Sequence, residues 1–590
     1  MVEIIKTGAK QRVGVTINGK SIRAFEGMTI LAAAEMAGFT IPTLCFFWNL
    51  NDAAACRVCL VEVEGQDQLV AACNNQVQEG MVIRTNTPKV RKARRFNVEL
   101  ILSQHDVSCA SCVRGGSCEL KTLANDLNIS EPRFKKQYEP KLWNQNFPLI
   151  RDANKCIKCW RCVQVCDKVQ ASHIWDLKNR ATRTSVGVAG AIPIEESLCA
   201  LCGQCITHCP VAALRERDDV DRVSDALADP NKITVIQIAP SVRTSWGETL
   251  ELDRKDASVK RLVSALRAVG IDYIFDTDFA ADLTILEEGS EFVKRFTEKE
   301  THLWPMFTSC CPGWVRWLKG HHPEMIGHLS TAKSPQQMFG AVAKSYYAQT
   351  LGLDPEQIFS ISVMPCLAKK HECALSCMND ASGEPDVDVV LTVRELGRLI
   401  RSEFIDAGAL PETDFDAPFG IGTGAAEIFG ATGGVMEAAL RSAYYLVTGV
   451  NPDPDAFADV RGLDGWKEAV FDLAGTPLRV AVASGLNNAE KLVNALIAGE
   501  VEYDFVEIMA CPGGCVGGGG QPISSKQNIR KLRSDVLYGL DKHNAYRFSH
   551  ANPAITKVYE EYFEKPLSEK SHHLLHTDHS NWKMPNETNS

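Results

Sequence analysis

Two rhythms of apolar residues divide the chain. Near the N-terminus, RVGVTI and KSIRAF alternate apolar and polar positions on either side of Asn18-Gly19. That dipeptide tolerates the positive φ angles of a two-residue turn, so the pattern predicts a β-hairpin. TILAAAEMAG then carries apolar residues at helical spacing and stops at Gly38, a residue that ends helices at little steric cost. A small β-rich domain over 12–90 follows. From about residue 230 the texture changes. KITVIQIAP, IFSISVMP, VDVVLTV, LRVAVAS and YDFVEIMAC are short, nearly continuous apolar runs, as expected of parallel strands buried on both faces. Between them, SVKRLVSALRAVG sets Val259, Leu262, Val263, Leu266 and Val269 on one helical face. A large α/β domain is expected over 230–570.

Composition narrows the class. The 590 residues suit about four domains. Twenty-two cysteines would suggest a disulfide scaffold in a short secreted chain, but this one is long and 45% hydrophobic. MVEIIKTGAKQRV offers no apolar export segment, and no run of 18 apolar residues could span a membrane. The expectation is a soluble cytoplasmic protein whose thiols stay reduced. A net charge of −10 argues against nucleic acid as a partner.

The cysteines fall into ligand-like groups. Cys45, Cys56, Cys59 and Cys73 supply four thiolates, the number a [2Fe–2S] cluster takes, although the first gap exceeds the plant-type spacing. Structural zinc is the alternative, disfavoured by the strand pattern around the set. His105-x3-Cys109-x2-Cys112-x5-Cys118 offers three thiolates and an imidazole one helical turn upstream, a [4Fe–4S] ligand set over 91–135. Two C-x2-C-x2-C-x3-C runs occupy 145–220: Cys156, Cys159, Cys162, Cys166 and Cys199, Cys202, Cys205, Cys209. In two-cluster ferredoxins the fourth cysteine of each run ligates the other cluster. One cubane then takes Cys156, Cys159, Cys162 and Cys209, and the other Cys199, Cys202, Cys205 and Cys166.

Three further segments carry a family resemblance: TSCCPGW (308–314), MPCLAKKHE (364–372) and EIMACPGGCVGGGGQP (507–522). In order and separation they resemble the signature motifs of [FeFe]-hydrogenases, and the front half resembles the accessory modules of the large multi-cluster (group A) type. The implied fold is modular α+β: a β-grasp [2Fe–2S] ferredoxin domain, a [4Fe–4S] module with one histidine and three cysteine ligands, a two-[4Fe–4S] ferredoxin domain and a two-lobed α/β catalytic domain. A tail over 571–590 follows. By resemblance, Cys311, Cys366, Cys511 and Cys515 hold the active-site cubane, and Cys515 bridges to a diiron subsite bearing CO, cyanide and azadithiolate. Cys310 is the matching proton carrier, with Glu288, Ser330 and Glu291 as onward relay and Arg295 near the exit. Ala239, Pro240, Ser241, Pro335, Gln336, Met364, Gly433, Gly434 and Met509 match pocket positions, and Lys369 matches a donor to cyanide.

The resemblance implies an enzyme that interconverts H2 with protons and electrons. Its electrons would come from ferredoxin, from flavin- or NAD(P)-binding partner subunits, or from both, and maturation proteins would install the diiron part. Two other classes compete. An electron-transfer subunit like that of complex I would share the front half but lack TSCCP and the EIMAC segment. A sensor or cluster-assembly relative would lose the relay residues, all present here. Gly420, Gly422 and Ala425 fit GxGxxA without a preceding strand, so no nucleotide site is assigned. Cys373 and Cys377 read as structural thiols. SHHLLHTDH, with His572, His573, His576 and His579, reads as an exposed tail.

Overall fold

A computed structural model describes residues 11–131, 133–134, 142–180 and 183–587. The predicted hairpin forms: β1 (Arg12–Ile17) pairs antiparallel with β2 (Lys20–Phe25) around Asn18 and Gly19, both at positive φ. β3 (Leu60–Val63), β4 (Val70–Ala71) and β5 (Val82–Arg84) complete a mixed sheet of order β2-β1-β5-β3-β4. The helix Ile30–Met36 covers it, N-capped by Thr29.

The helix Pro88–Ser103 leads away from this sheet, capped by Thr87 with proline in its first turn. It ends before His105. The expected one-turn helical relation between His105 and Cys109 is therefore not found: residues 104–108 are turn and coil, which frees the imidazole to face another loop. Two small hairpin-like pairs frame the next module, β6 (Leu149–Arg151) with β9 (Leu214–Glu216) and β7 (Trp175–Lys178) with β8 (Ser185–Val188).

The large region has two four-stranded sheets. In the first, β10 (Ile233–Ile238), β11 (Tyr273–Asp276), β13 (Ile358–Met364) and β14 (Val389–Thr392) are all parallel, ordered β11-β10-β13-β14. In the second, β12 (Met306–Phe307), β17 (Phe505–Met509) and β16 (Thr476–Ser484) run parallel, and β15 (Trp466–Leu473) closes one edge antiparallel. The helix Val259–Val269 buries Leu262, Val263 and Leu266 on the first sheet and ends on Gly270 at φ +105°. The helix Thr277–Thr297 is buried along most of its length and packs against Gly434–Thr448 and Pro335–Val342. No helix among the described residues is long and apolar enough to cross a membrane.

The C-terminal segment departs from expectation. It packs on the catalytic region: Leu574, Leu575, His576, His579, Trp582 and Met584 are buried. Apolar residues interleaved with the histidines supply the burial that a wholly polar tail would lack.

Candidate active site

The carboxyl ends of strands from both sheets converge on one cavity, where open α/β sheets bind ligands. Ala239, Pro240 and Ser241 follow β10, Met364 ends β13 ahead of Pro365 and Cys366, Cys310 and Cys311 follow β12, and Met509 ends β17 ahead of Cys515. Pro335 and Gln336 enter from the first turn of a helix. All these residues line the cavity, as does Lys369.

The thiols are embedded. Burial pushes Cys366 up to about 11 and Cys515 up to about 12, and the neighbouring Cys311 charge adds to each. Cys511 rises well above its usual range, by burial and then by the charge of Cys366. Four half-buried thiols that oppose one another's ionisation form a donor set that a cationic centre would favour as thiolates. The glycine run presses against this set. A Cβ on Gly518 would lie 2.1 Å from the Pro365 carbonyl, and one on Gly520 would lie 2.7 Å from Cys366 N.

Cys310 differs from its neighbour. It is buried, and its pKa is raised by burial first and the charge of Glu288 second. Glu288 is pushed up to about 8 by burial, then by Glu291. One of its carboxylate oxygens receives the Ser309 N–H at 3.4 Å; the other has no partner. Ser330 Oγ donates to Glu291 at 2.7 Å, and Glu291 pairs with Arg295. Lys369 Nζ donates to Ser334 Oγ at 3.0 Å and Glu372 at 3.3 Å, so its charge is balanced from outside the cavity. Burial opposes that charge, but Glu372 and the nearby thiols hold its pKa above normal.

The other cysteine groups approach the site in sequence. Cys45, Cys56, Cys59 and Cys73 are buried together. Asn51 Nδ2 donates to the carbonyls of both Cys45 and Cys159 at 2.8 Å, joining this group to the next. His105 Nδ1 lies 2.9 Å from the Lys155 carbonyl, beside Cys156, and Cys109 is exposed. Cys162 is raised by burial and by Cys159, Cys156 and Cys209, whereas Cys205 is raised by burial and by Cys202, Cys199 and Cys166. Cys209 thus lies near the first three cysteines of the earlier run, and Cys166 near those of the later one. Cys511 Sγ lies 3.7 Å from the Cys202 carbonyl, and a Cβ on Gly519 would sit 2.4 Å from that same oxygen.

Family profiles match along the chain: a 2Fe-2S iron-sulfur cluster binding domain at 10–88, the NADH-ubiquinone oxidoreductase-G iron-sulfur binding region at 94–133, and a 4Fe-4S dicluster domain at 155–213. The C-terminal domain of the iron only hydrogenase large subunit matches 232–519, and the iron hydrogenase small subunit matches 527–582. The NADP-reducing hydrogenase subunit HndD of Solidesulfovibrio fructosivorans is 46% identical over 578 residues, covering 95% of this chain and 98% of that one. The chain belongs to the iron-only, or [FeFe]-, hydrogenases. Iron hydrogenase 1 of Clostridium pasteurianum is 40% identical over 570 residues, covering 95% and 99%. A solved apo [FeFe]-hydrogenase HydA1 from Chlamydomonas reinhardtii superposes with a TM-score of 0.55 at 43% identity, covering 60% of this chain and 98% of that one.

Within this hydrogenase the pocket expectations need one correction. Gly433 and Gly434 do not line the cavity; Phe429 and Gly430 do. A Cβ on Gly434 would fall 1.8 Å from the Ile428 carbonyl, so backbone packing explains that glycine. Gly433 N–H instead donates to Glu507 at 2.7 Å. Glu507 was not singled out from the sequence, although it opens the EIMAC segment; burial raises it to about 7. Thr277 and Ala281 also line the cavity without any motif to announce them, and Pro312 and Pro365 line it from within TSCCPGW and MPCLAKKHE. The cavity fits a bulky cluster: its walls are largely apolar, Cys311, Cys366 and Cys515 line it beside Cys310 with Cys511 just outside the lining, and the buried Ser241 Oγ on its wall has no partner. Cys373 is buried against the first sheet, consistent with a structural thiol.

Proposed function

We propose that this hydrogenase passes electrons and protons to one cavity along two separate chains of residues that meet at Cys310 and Cys311. The observation that carries the reading is this adjacency: Cys311 belongs to the thiol group joined to the accessory modules, and Cys310 faces the buried carboxylates. Cys45, Cys56, Cys59 and Cys73 would hold a [2Fe–2S] cluster, and His105, Cys109, Cys112 and Cys118 a [4Fe–4S] cluster. Cys156, Cys159, Cys162 and Cys209 would hold one further cubane, and Cys199, Cys202, Cys205 and Cys166 another, beside Cys511. When bound, these clusters would supply one-electron transfer toward the cavity.

Cys311, Cys366, Cys511 and Cys515 would hold the active-site cubane, with Cys515 toward the diiron part. When bound, that six-iron centre supplies the making and breaking of H2. The protein's share is proton handling. Cys310 exchanges a proton at Sγ with Glu288, whose raised pKa lets it stay protonated near neutrality. Ser330 carries the exchange to Glu291, held by Arg295. Ala239, Pro240, Ser241, Pro335, Gln336, Met364 and Met509 exclude water, and Lys369 presents fixed positive charge to anionic ligands.

As functional units we assign 12–90, 91–135, 145–220, 230–570 and a C-terminal segment 571–590, of which 571–587 packs on the catalytic region. The relative named as an NADP-reducing hydrogenase subunit supports coupling to NAD(P) through partner subunits, and a ferredoxin is the second acceptor class. Cys310→Ser tests the division of labour. Active-site infrared bands and full iron content should persist while turnover collapses; loss of iron would overturn the assignment.

A further inference from the structure

The C-terminal histidines take no part in the relay above, yet they close its outer end. Lys333 N–H donates to the Leu575 carbonyl and Thr577 N–H to the Thr331 carbonyl, each at 2.8 Å, pinning the segment beside Ser330. This register presents His576 to the helix that carries both glutamates. Its Nδ1 lies 2.8 Å from Thr331 Oγ1 and its Nε2 3.1 Å from Glu287. Thr331 N–H in turn donates to Glu291 at 3.0 Å. His579 Nε2 lies 3.0 Å from the Ser330 carbonyl. The exposed His572 ring stacks on His576 with centroids 4.9 Å apart and planes 4° from parallel. Arg295, Thr331, His572, His576 and His579 together wall an open cleft.

We propose that this cleft is the proton port of the enzyme, with His572 as the exchanging group between Glu291 and bulk water and His576 as the residue that positions it. The proposal rests on the relay through Glu291 and extends it outward. During H2 oxidation the Glu291 carboxyl proton passes through solvent in the cleft to the free ring nitrogen of His572. The imidazolium then gives that proton to buffer, and no electron moves. Burial lowers the pKa of His572 and His576 lowers it further, while Glu291 and Glu287 favour its charged form. The net effect holds its pKa below the ordinary imidazole value, so a proton taken up there is readily released to buffer.

The surroundings supply charge of both signs. Lys294, on the helix with the glutamates, opposes protonation of His572. Asp380 and Cys377 face the cleft from one wall, and His573 and Asp578 from the C-terminal segment. Lys319 Nζ holds the His579 carbonyl at 2.7 Å, so His579 fixes the Ser330 backbone. A purely structural role for the histidines would make their loss a matter of stability, indifferent to buffer.

The test uses the fully matured enzyme. His572→Ala changes an exposed side chain, so the fold should persist; H2 oxidation is followed against buffer concentration at mildly alkaline pH. At low buffer turnover should fall about tenfold, and added imidazole should restore it. Active-site infrared bands and the unfolding temperature should not move. Wild-type turnover at low buffer, or a loss that imidazole does not repair, overturns the proposal. Glu291→Gln separates the layers: its loss should resist any buffer, and an unaffected Glu291→Gln enzyme would sink the relay reading itself. His543→Ala, outside the cleft, should behave as wild type throughout.

Discussion

The accessory modules and the catalytic lobes handle cysteine in opposite ways. In the front half most cysteines come in short repeated spacings, on loops and short helices, with Cys109 open to solvent. In the back half Cys311 and Cys366 arrive from the ends of two strands, Cys511 and Cys515 from the end of a third, and they meet only through the tertiary fold. Beside the second arrangement runs a line of buried titratable groups, from Cys310 to Glu291. Electron carriers need proximity and a surface to receive charge. Proton chemistry needs a dry pocket and carboxylates whose pKa burial has shifted.

The hardest blow to this contrast would fall at Cys310. Cys310→Ser should cost at least about a hundredfold in turnover with the cofactor intact, because a hydroxyl's pKa lies far above a thiol's. Cys310→Asp should restore part of the rate, whereas Cys311→Ser should disturb the cubane, visible by electron paramagnetic resonance. Equal behaviour of the two neighbours would erase the distinction between the chains.

A smaller effect concerns pH. Glu288 is raised to about 8 by burial and then by Glu291, so the folded state binds its proton more tightly than the unfolded chain does. Its contribution to stability is complete below the unfolded carboxylate range and is lost as pH rises through about 8. Asp282 and Glu507, each raised to about 7 by burial, act in the same direction. The unfolding temperature should therefore decline from mildly acidic to alkaline pH, and Glu288→Gln should flatten the decline. An unchanged slope in the variant would contradict the buried, protonated glutamate.

The modular front makes gentler predictions. Metal analysis should find about 20 iron atoms in matured protein and about 18 without the maturation proteins. Replacing His105 with alanine should slow exchange with the electron partner while the diiron infrared bands persist. Their loss would show that the modules are not independent.

This contrast also governs what could be read from sequence. The crossed pairing of Cys156–Cys166 and Cys199–Cys209 is a spacing rule, and the fourth cysteine of each run lies near the other run's first three. The α/β strands were legible because both faces are buried, which leaves unbroken apolar runs. Cavity walls such as Thr277 and Gly430 were not, since neither periodicity nor motif marks a residue that faces a space between two sheets. The C-terminal segment misled for a related reason. SHHLLHTDH is polar on average, and its anchors, Leu574, Leu575, Trp582 and Met584, are spaced for an irregular path rather than a helix face.

One contact carries a consequence for speed. Gly519 meets Gly203 so closely that a Cβ on Gly203 would lie 2.8 Å from the Gly519 Cα. Ferredoxin-like module and catalytic region are therefore in direct backbone contact beside Cys202 and Cys511. With those two cysteines as the proposed ligands, delivery of an electron across this joint would need no docking event. Traffic control must then lie upstream, where the outside partner arrives, or in the supply of protons.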